Sequence, residues 1–202
     1  MTPNSCQHYR QLVIYMAMGI VTLAVGCTTL TFHPAPVVPT NLSLPYTAQV
    51  RLTELAAYMV EPGAALQTDS PLQNTVTQAK SVPALSAKEW DKLIVDYVTA
   101  RQTFRRVVPD GPADMIVALR IFLYIDPGLG FKFNHTYIAK ADAVLKDPHN
   151  GRALATYAGS GKAFGVVSRG SREDDEGPIN KSVQAALNDL FGKLETDKRI
   201  LP

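Results

Sequence analysis

Cysteine is nearly absent: the chain has two, Cys6 and Cys27, and none beyond residue 27. The part that follows therefore has no internal disulfide and no cysteine metal site, and must be held by its core alone. Charge of one sign is also missing. The 202 residues carry 20 basic and 18 acidic side chains; residues 1–26 contain one of the bases, Arg10, and no acid, which leaves 19 and 18. That balance excludes the basic patch and high domain pI of a nucleic-acid binder. Histidine is scarce, with His8, His33, His135 and His149 only. No H-x-x-x-H, no G-x-S-x-G and no cysteine–histidine pair occurs after Cys27. Gly159-Ser-Gly161-Lys162 looks like the end of a phosphate loop, but that motif needs Gly at 156 and Ser or Thr at 163, where Thr156 and Ala163 stand. Glu173, Asp174, Asp175 and Glu176 lack the alternating spacing and glycine of a calcium loop. No catalytic residue, metal or cofactor is expected, and the chain reads as a non-enzyme. An enzyme built on the loop from 61 to 85 would need clustered carboxylates with His135 in a cleft.

What is present begins with Arg10 to Cys27, RQLVIYMAMGIVTLAVGC. Leu12 to Gly26 is an uncharged, largely apolar run of 15 residues, whereas a spanning helix needs about 20. A short apolar run preceded by a positive N-terminus and closed by small residues has the form of a secretory signal. The competing readings are an uncleaved anchor helix and a buried core helix ending in cysteine.

Ala24-Val25-Gly26-Cys27 resembles the bacterial lipobox, in which small residues precede an obligatory cysteine. The resemblance implies that the Cys27 thiol is alkylated with diacylglycerol, that cleavage falls between Gly26 and Cys27, and that the new amine is acylated as well. A thiolate suits thioether formation. Two or three acyl chains, at about 0.8 kcal/mol per buried methylene, pass the two-signal threshold for stable anchoring. The expected domains are a signal peptide over 1–26, a lipidated Cys27 with a tether over 27–45, and one periplasmic domain over 46–202. Thr28 after the cysteine is compatible with the outer membrane, on its periplasmic face.

Residues 28–45 contain four prolines, Pro34, Pro36, Pro39 and Pro45, and no charge. Such a segment reads as an extended, semi-rigid spacer between lipid and body. From Tyr46 to Val60, Val50 and Leu52 alternate with Gln49, Arg51 and Thr53, as a half-buried strand requires. Residues 61–85 read as a long loop, with any strand placed around Val76. Ser86 and Glu89 have capping-box spacing, with Leu85 and Trp90 in staple positions, before a helix from Ala87 to about Gln102. Its stripe is Trp90, Leu93, Ile94, Tyr97 and Val98.

Four strands follow: Thr103–Val108, Ala113–Ile125, Phe131–Lys146 and Arg152–Val167. The second is apolar on both faces and belongs near the sheet centre. On the third, His135 shares the inward face with Tyr137, Ala139, Ala141, Ala143 and Leu145, while Ile138 and Val144 interrupt the wet side. Asn150-Gly151 supplies a hairpin turn, and the glycines of the fourth strand point to a bulge or a close backbone approach. Charged residues 168–177 precede a helix from Pro178 to about Glu195, striped by Ile179, Val183, Ala186, Leu187, Leu190, Phe191 and Leu194.

The predicted fold is α+β and two-layered, an antiparallel sheet of four to five strands with two helices on one face, in the order β-α-β-β-β-β-α. This pattern after a lipobox resembles the small periplasmic domains of outer-membrane accessory lipoproteins, including auxiliary lipoproteins of transport and secretion machines. The implied partners are the membrane, through Cys27, and an envelope protein or a second copy, met at a sheet edge or at the face around Arg120, Phe122 and Tyr124. The alternative is a carrier of a small apolar ligand, or lipid, between sheet and helices, which would need a cavity of about 300 Å³.

Overall fold

The structure, a computed structural model, describes residues 32–60, 79–81, 86–126, 134–166 and 172–200. Cys27, the preceding signal-like run, Val76 and Leu85 lie outside the described residues. Eight elements follow one another: β1 (Leu44–Val60), β2 (Ala79–Ser81), α1 (Ala87–Arg101), β3 (Phe104–Val108), β4 (Met115–Asp126), β5 (Asn134–Lys146), β6 (Ala153–Val166) and α2 (Arg172–Glu195). The fold is α+β, a sheet carrying two helices on one face, with the central position predicted for β4.

The sheet order is β2-β1-β4-β5-β6, with β3 beside β1 on the edge away from β4. β4, β5 and β6 form the expected antiparallel meander. The expectation of a wholly antiparallel sheet is corrected, because β1 runs parallel to both β3 and β4. Alternation fixes which face a side chain takes, while strand direction depends on the connections. Here α1 carries the chain from β1 to β3, and residues 109–114 then cross β1 to start β4 on its other side. The crossing is pinned where Gln49 Nε2 donates to the Pro109 carbonyl at 2.9 Å, and where the Asp114 N–H donates to the Thr47 carbonyl at 2.8 Å.

One face of the sheet and both helices enclose the main core. From β4 come Val117, Leu119, Ile121 and Leu123; from α1 Trp90, Ile94, Tyr97 and Val98; the whole predicted α2 stripe joins them. Each such side chain contributes about 1.5–3 kcal/mol when taken from water. β1 keeps its apolar side on this core by a register shift between Leu52 and Glu54. Val50 and Leu52 face the core before the shift, Leu55 and Ala57 after it. Without the extra residue the second half of the strand would turn its apolar side away. The irregular backbone is satisfied by side chains: Leu52 N–H donates to Asp91 Oδ1 at 2.7 Å, and Thr53 Oγ1 donates to the Leu119 carbonyl at 2.9 Å.

Under α2 the floor is nearly without side chains. Ala139 pairs with Gly161 and Ala141 with Gly159. A Cβ on Gly159 would lie 2.2 Å from the Ala186 carbonyl oxygen, and one on Gly161 would lie 2.0 Å from that of Ser182. These glycines let the helix backbone approach the strand. The register is unbroken through these glycines; the irregularity of the β5–β6 pair lies instead at the start of β6, where Leu145 pairs with Ala155 and Lys146 with Ala153.

Two helix starts differ from expectation. Ser86 makes no side-chain cap hydrogen bond, so the capping box does not form; α1 starts with the Trp90 N–H donating to the Ser86 carbonyl at 3.0 Å. α2 begins at Arg172 and contains Pro178 inside it. Proline costs a backbone bond there, and its ring packs where Gly165 leaves space.

Candidate functional site

From Phe32 onward the predicted tether is part of the folded body. Residues 32–43 have no regular structure, yet they lie along the helix layer as a strap. Phe32 is 0% exposed and stacks on Trp90 with ring centroids 5.4 Å apart, tilted against Tyr97 at 6.3 Å. His33 N–H donates to Asn180 Oδ1 at 2.8 Å, and Ala35 N–H to Gln184 Oε1 at 3.0 Å. The last strap contact is Thr40, whose Oγ1 donates to Glu195 Oε2 at 3.0 Å. The strap thus travels beside α2 from Asn180 to Glu195, about 22 Å at 1.5 Å per helical residue. Seven residues of polyproline-like chain at 3.1 Å each cover the same length. Its prolines set an extended path, and Phe32, the only aromatic residue in 28–45, anchors it.

The strap ends in a buried polar node. Arg101 holds Glu195 bidentately, Nε to Oε1 at 3.0 Å and Nη2 to Oε2 at 2.9 Å, and Thr103 Oγ1 adds a bond to Oε1 at 2.8 Å. Arg101 Nη1 and the Tyr97 hydroxyl both donate to Asn188 Oδ1, at 2.8 and 2.6 Å. Glu195 is 2% exposed and accepts from four donors. Burial alone would lower the Arg101 pKa, but the Glu195 hydrogen bonds and charge hold it above its ordinary value. Burial likewise raises Tyr97, against the pull of Arg101. Strap, both helices and the start of β3 are tied here.

The expected partner patch is not open. Phe122 and Tyr124 are 8% and 6% exposed, in a second apolar cluster with Val60 and Ile138 on the sheet face away from the helices. Tyr58 stacks on Tyr124 at 5.5 Å. Arg120 remains partly exposed, with Nη2 3.1 Å from Asp142 Oδ2. Burial holds the Asp142 carboxyl above its usual range despite that partner. Lys140 and Ile138, placed by alternation on a wet side, are buried too.

Open polar and apolar surface instead meets at the end of the sheet where β1 and β4 begin. A cleft of about 410 Å³ is lined by Tyr46, Asp114, Met115, Leu154, Ala155, Arg199 and Ile200. Its far wall is the segment after α2. Asp197 accepts from the Tyr157 hydroxyl at 2.7 Å and from Arg199 N–H at 2.9 Å, so the segment is held to β6. Burial, with Asp197 as neighbour, pushes the Tyr157 pKa up to about 12. The Arg199 hydrogen bonds hold the Asp197 carboxyl well below the usual carboxylate range. At the opposite wall Asp114 accepts from Thr47 N–H at 2.7 Å. The lining sets the apolar Leu154 and Ile200 beside Arg199, whose Nε and Nη2 are paired with the Asp197 carboxylate. It supplies no nucleophile and base in contact. His135 lies at the other end of the sheet, its Nδ1 3.4 Å from the Tyr137 hydroxyl, and His149 is exposed in the β5–β6 turn. Among the described residues no group of His, Cys, Asp and Glu is placed to hold a metal. Lining residues drawn from four distant segments leave no linear signal.

No family model matches the sequence, and no curated protein matches it. Solved structures do. A Xanthomonas campestris protein of the DUF330 family is 14% identical with a TM-score of 0.43, over 84% of this chain and 96% of that one. A putative neuraminyllactose-binding hemagglutinin homolog from Helicobacter pylori is 11% identical, TM-score 0.44, over 86% and 94%. A hypothetical protein from Chlamydia trachomatis is 13% identical, TM-score 0.41, over 75% and 96%.

Proposed function

We propose that the protein is a bacterial envelope lipoprotein, anchored through acyl chains on Cys27, whose body serves as a non-enzymatic accessory that binds a protein partner in the periplasm. The observation that carries this reading is the run Arg10–Cys27, too short to span comfortably and closed by Ala24-Val25-Gly26-Cys27. Among the described residues no helix is long and apolar enough to cross a membrane. With Phe122 and Tyr124 buried, the partner surface is the strand-end cleft around Leu154, Arg199 and Ile200. Thr28 is compatible with the outer membrane.

Intact mass and membrane fractionation of the chain expressed with its own N-terminus, beside Cys27→Ala, test the anchor. The expected mature mass begins at Cys27 with diacylglycerol and acyl additions, and both additions and membrane recovery vanish in the variant. A full-length, unmodified mass in the membrane fraction would refute it.

A second reading rests on the same cleft. The space between sheet and helices is filled by Trp90, Tyr97, Tyr137 and Phe191, which disfavours a ligand carried there. The strand-end cleft exceeds the size a small ligand needs, and an amphipathic molecule would fit its mixed lining. Saturable binding of a fluorescent fatty acid, abolished by Leu154→Asp, would favour carriage over partner docking.

A further inference from the structure

We infer that the bilayer itself is the surface on which this body rests, held there by a leash of only four residues, with the strand-end cleft turned away from the lipid. The inference rests on lipidation of Cys27 and adds to it an orientation. Taken as a free tether to Pro45, the segment after Cys27 would let the body stand off by up to about 60 Å, at 3.3–3.6 Å per residue. The strap removes most of that reach. Phe32 is fully buried against Trp90, and His33 and Ala35 are hydrogen-bonded to α2. Only Thr28, Thr29, Leu30 and Thr31 separate Phe32 from Cys27. Five Cα steps span about 18 Å at most.

The point of attachment is at one end of the molecule. Phe32 enters beside Asn180, and the same part of α2 lies over Gly161 and Gly165 of β6. The cleft and the β5–β6 turn lie at the other end of that strand. From Gly161 to Ala153 is about 26 Å of strand, with the turn of residues 147–152 beyond. A chain anchored within about 18 Å of Phe32, beside Asn180, therefore brings that end to the headgroups and points the turn outward.

The test uses the full lipoprotein, purified with its acyl chains and reconstituted into phosphatidylethanolamine and phosphatidylglycerol vesicles. Because cleavage removes Cys6 and lipid occupies Cys27, a single new cysteine takes a fluorophore uniquely. Lys181→Cys, exposed beside Asn180, and His149→Cys, exposed in the turn, report the two ends by energy transfer to a headgroup acceptor. Transfer should be strong at 181 and several-fold weaker at 149. Inserting about 14 Gly/Ser residues between Thr31 and Phe32, which adds a coil of about 20 Å, should cut transfer at 181 and narrow the difference. Equal transfer at both positions, or no response to the insertion, in a protein whose mass shows the acyl additions would overturn the orientation and leave lipidation standing. A mass without acyl additions would overturn both.

Discussion

The two helices settle on the sheet by opposite means. α2 rests on a floor of Ala139, Ala141, Gly159 and Gly161, where the strand supplies almost no side chain and the helix backbone comes to the sheet. α1 rests on rings: Trp90 and Tyr97 fill the space over β1 and β3, and the filling is completed by Phe32 from a segment outside either helix. One seam depends on atoms that are absent, the other on a ring brought from elsewhere. The α2 seam is complete within β5, β6 and the helix, whereas the α1 seam is complete only when the strap is in place. The segment before β1 is thereby fixed to the body by Phe32, His33, Ala35 and Thr40. A free linker would lack these contacts.

The node that joins the two seams should be the most sensitive point. Arg101→Ala leaves Glu195 buried with two of its four donors gone, and should cost about 3–5 kcal/mol in urea unfolding. Replacing both by apolar residues of similar size should recover much of that loss, because no buried charge is then left unpaired. If the single variant unfolds like the parent, the seams are held independently and the node is incidental. Phe32→Ala comes next, at about 3 kcal/mol, the lower end for a buried phenylalanine since the strap can lift away and admit water. Its signature is a red-shifted Trp90 emission, Trp90 being the single tryptophan. Unchanged fluorescence would mean that the aromatic seam closes without the strap.

The glycine seam is probed by a pair of identical chemical changes. Gly161→Ala puts a methyl 2.0 Å from the Ser182 carbonyl oxygen, so α2 must shift at a cost of about 1–3 kcal/mol. Gly192→Ala, inside α2 where nothing lies within 4 Å, should instead stabilise by about 0.5–1 kcal/mol through helix propensity. Opposite signs in thermal melts would establish close approach as the reason for Gly161; a loss at both sites would place the sensitivity in the helix.

Much of this architecture was legible in residue order. The α2 stripe from Ile179 to Leu194, the α1 stripe on Trp90 and the meander β4–β5–β6 follow from periodicity, because burial of one face is a local pattern. The glycines of β6 carried their message too, in the reading of close backbone approach. The direction of β1 was not legible, since alternation is the same in parallel and antiparallel pairs. The strap was hidden by composition: proline and the absence of charge describe its conformation, and only Phe32 hints at where it docks. The face around Phe122 and Tyr124 was readable as apolar, but whether an apolar face is open or covered is a tertiary fact. The cleft was invisible, because Tyr46, Asp114, Leu154 and Arg199 meet only after the sheet is assembled.

The tail that walls the cleft belongs to the glycine half, and its ionisation separates it from the aromatic half. Tyr157 should ionise near pH 12 in place of its ordinary 10.0. A group whose folded pKa is raised contributes stability fully present below its unfolded pKa, so this contribution is intact below pH 10 and is lost as pH rises toward 12. Asp197 has the opposite sign: its folded pKa is depressed, so its contribution is present above about pH 4 and falls away only in stronger acid. Absorbance at alkaline pH should show Tyr157 among the late tyrosines, beside Tyr97 and Tyr124, which burial also raises, and Tyr157→Phe should remove one equivalent from that late phase at a cost of about 1 kcal/mol. A normal midpoint for Tyr157 would mean that the tail is detached and the cleft has lost a wall.

The smallest effect on stability carries the clearest consequence for association. β6 is an edge strand, and such an edge can template pairing with another chain. α2 closes the middle of it: Asp189 Oδ2 accepts from Ser160 N–H at 3.1 Å, and Lys193 Nζ donates to the Ala158 carbonyl at 2.9 Å. The two side chains also pair with each other at 2.9 Å. Burial alone would raise the Asp189 pKa, but the Lys193 and Ser160 hydrogen bonds hold it below its ordinary value. This guard can form only because Gly159 and Gly161 bring α2 close enough for its polar residues to reach past the strand. Replacing Asp189 and Lys193 together by alanine should therefore change the unfolding free energy by no more than about 1 kcal/mol, as for other exposed pairs. It should raise self-association in sedimentation velocity, through an edge that presents Ser160 N–H and the Ala158 carbonyl beside Phe164, 71% exposed. If the double variant sediments like the parent, the edge is protected by the closeness of the helix alone, and the glycine seam suffices to guard it.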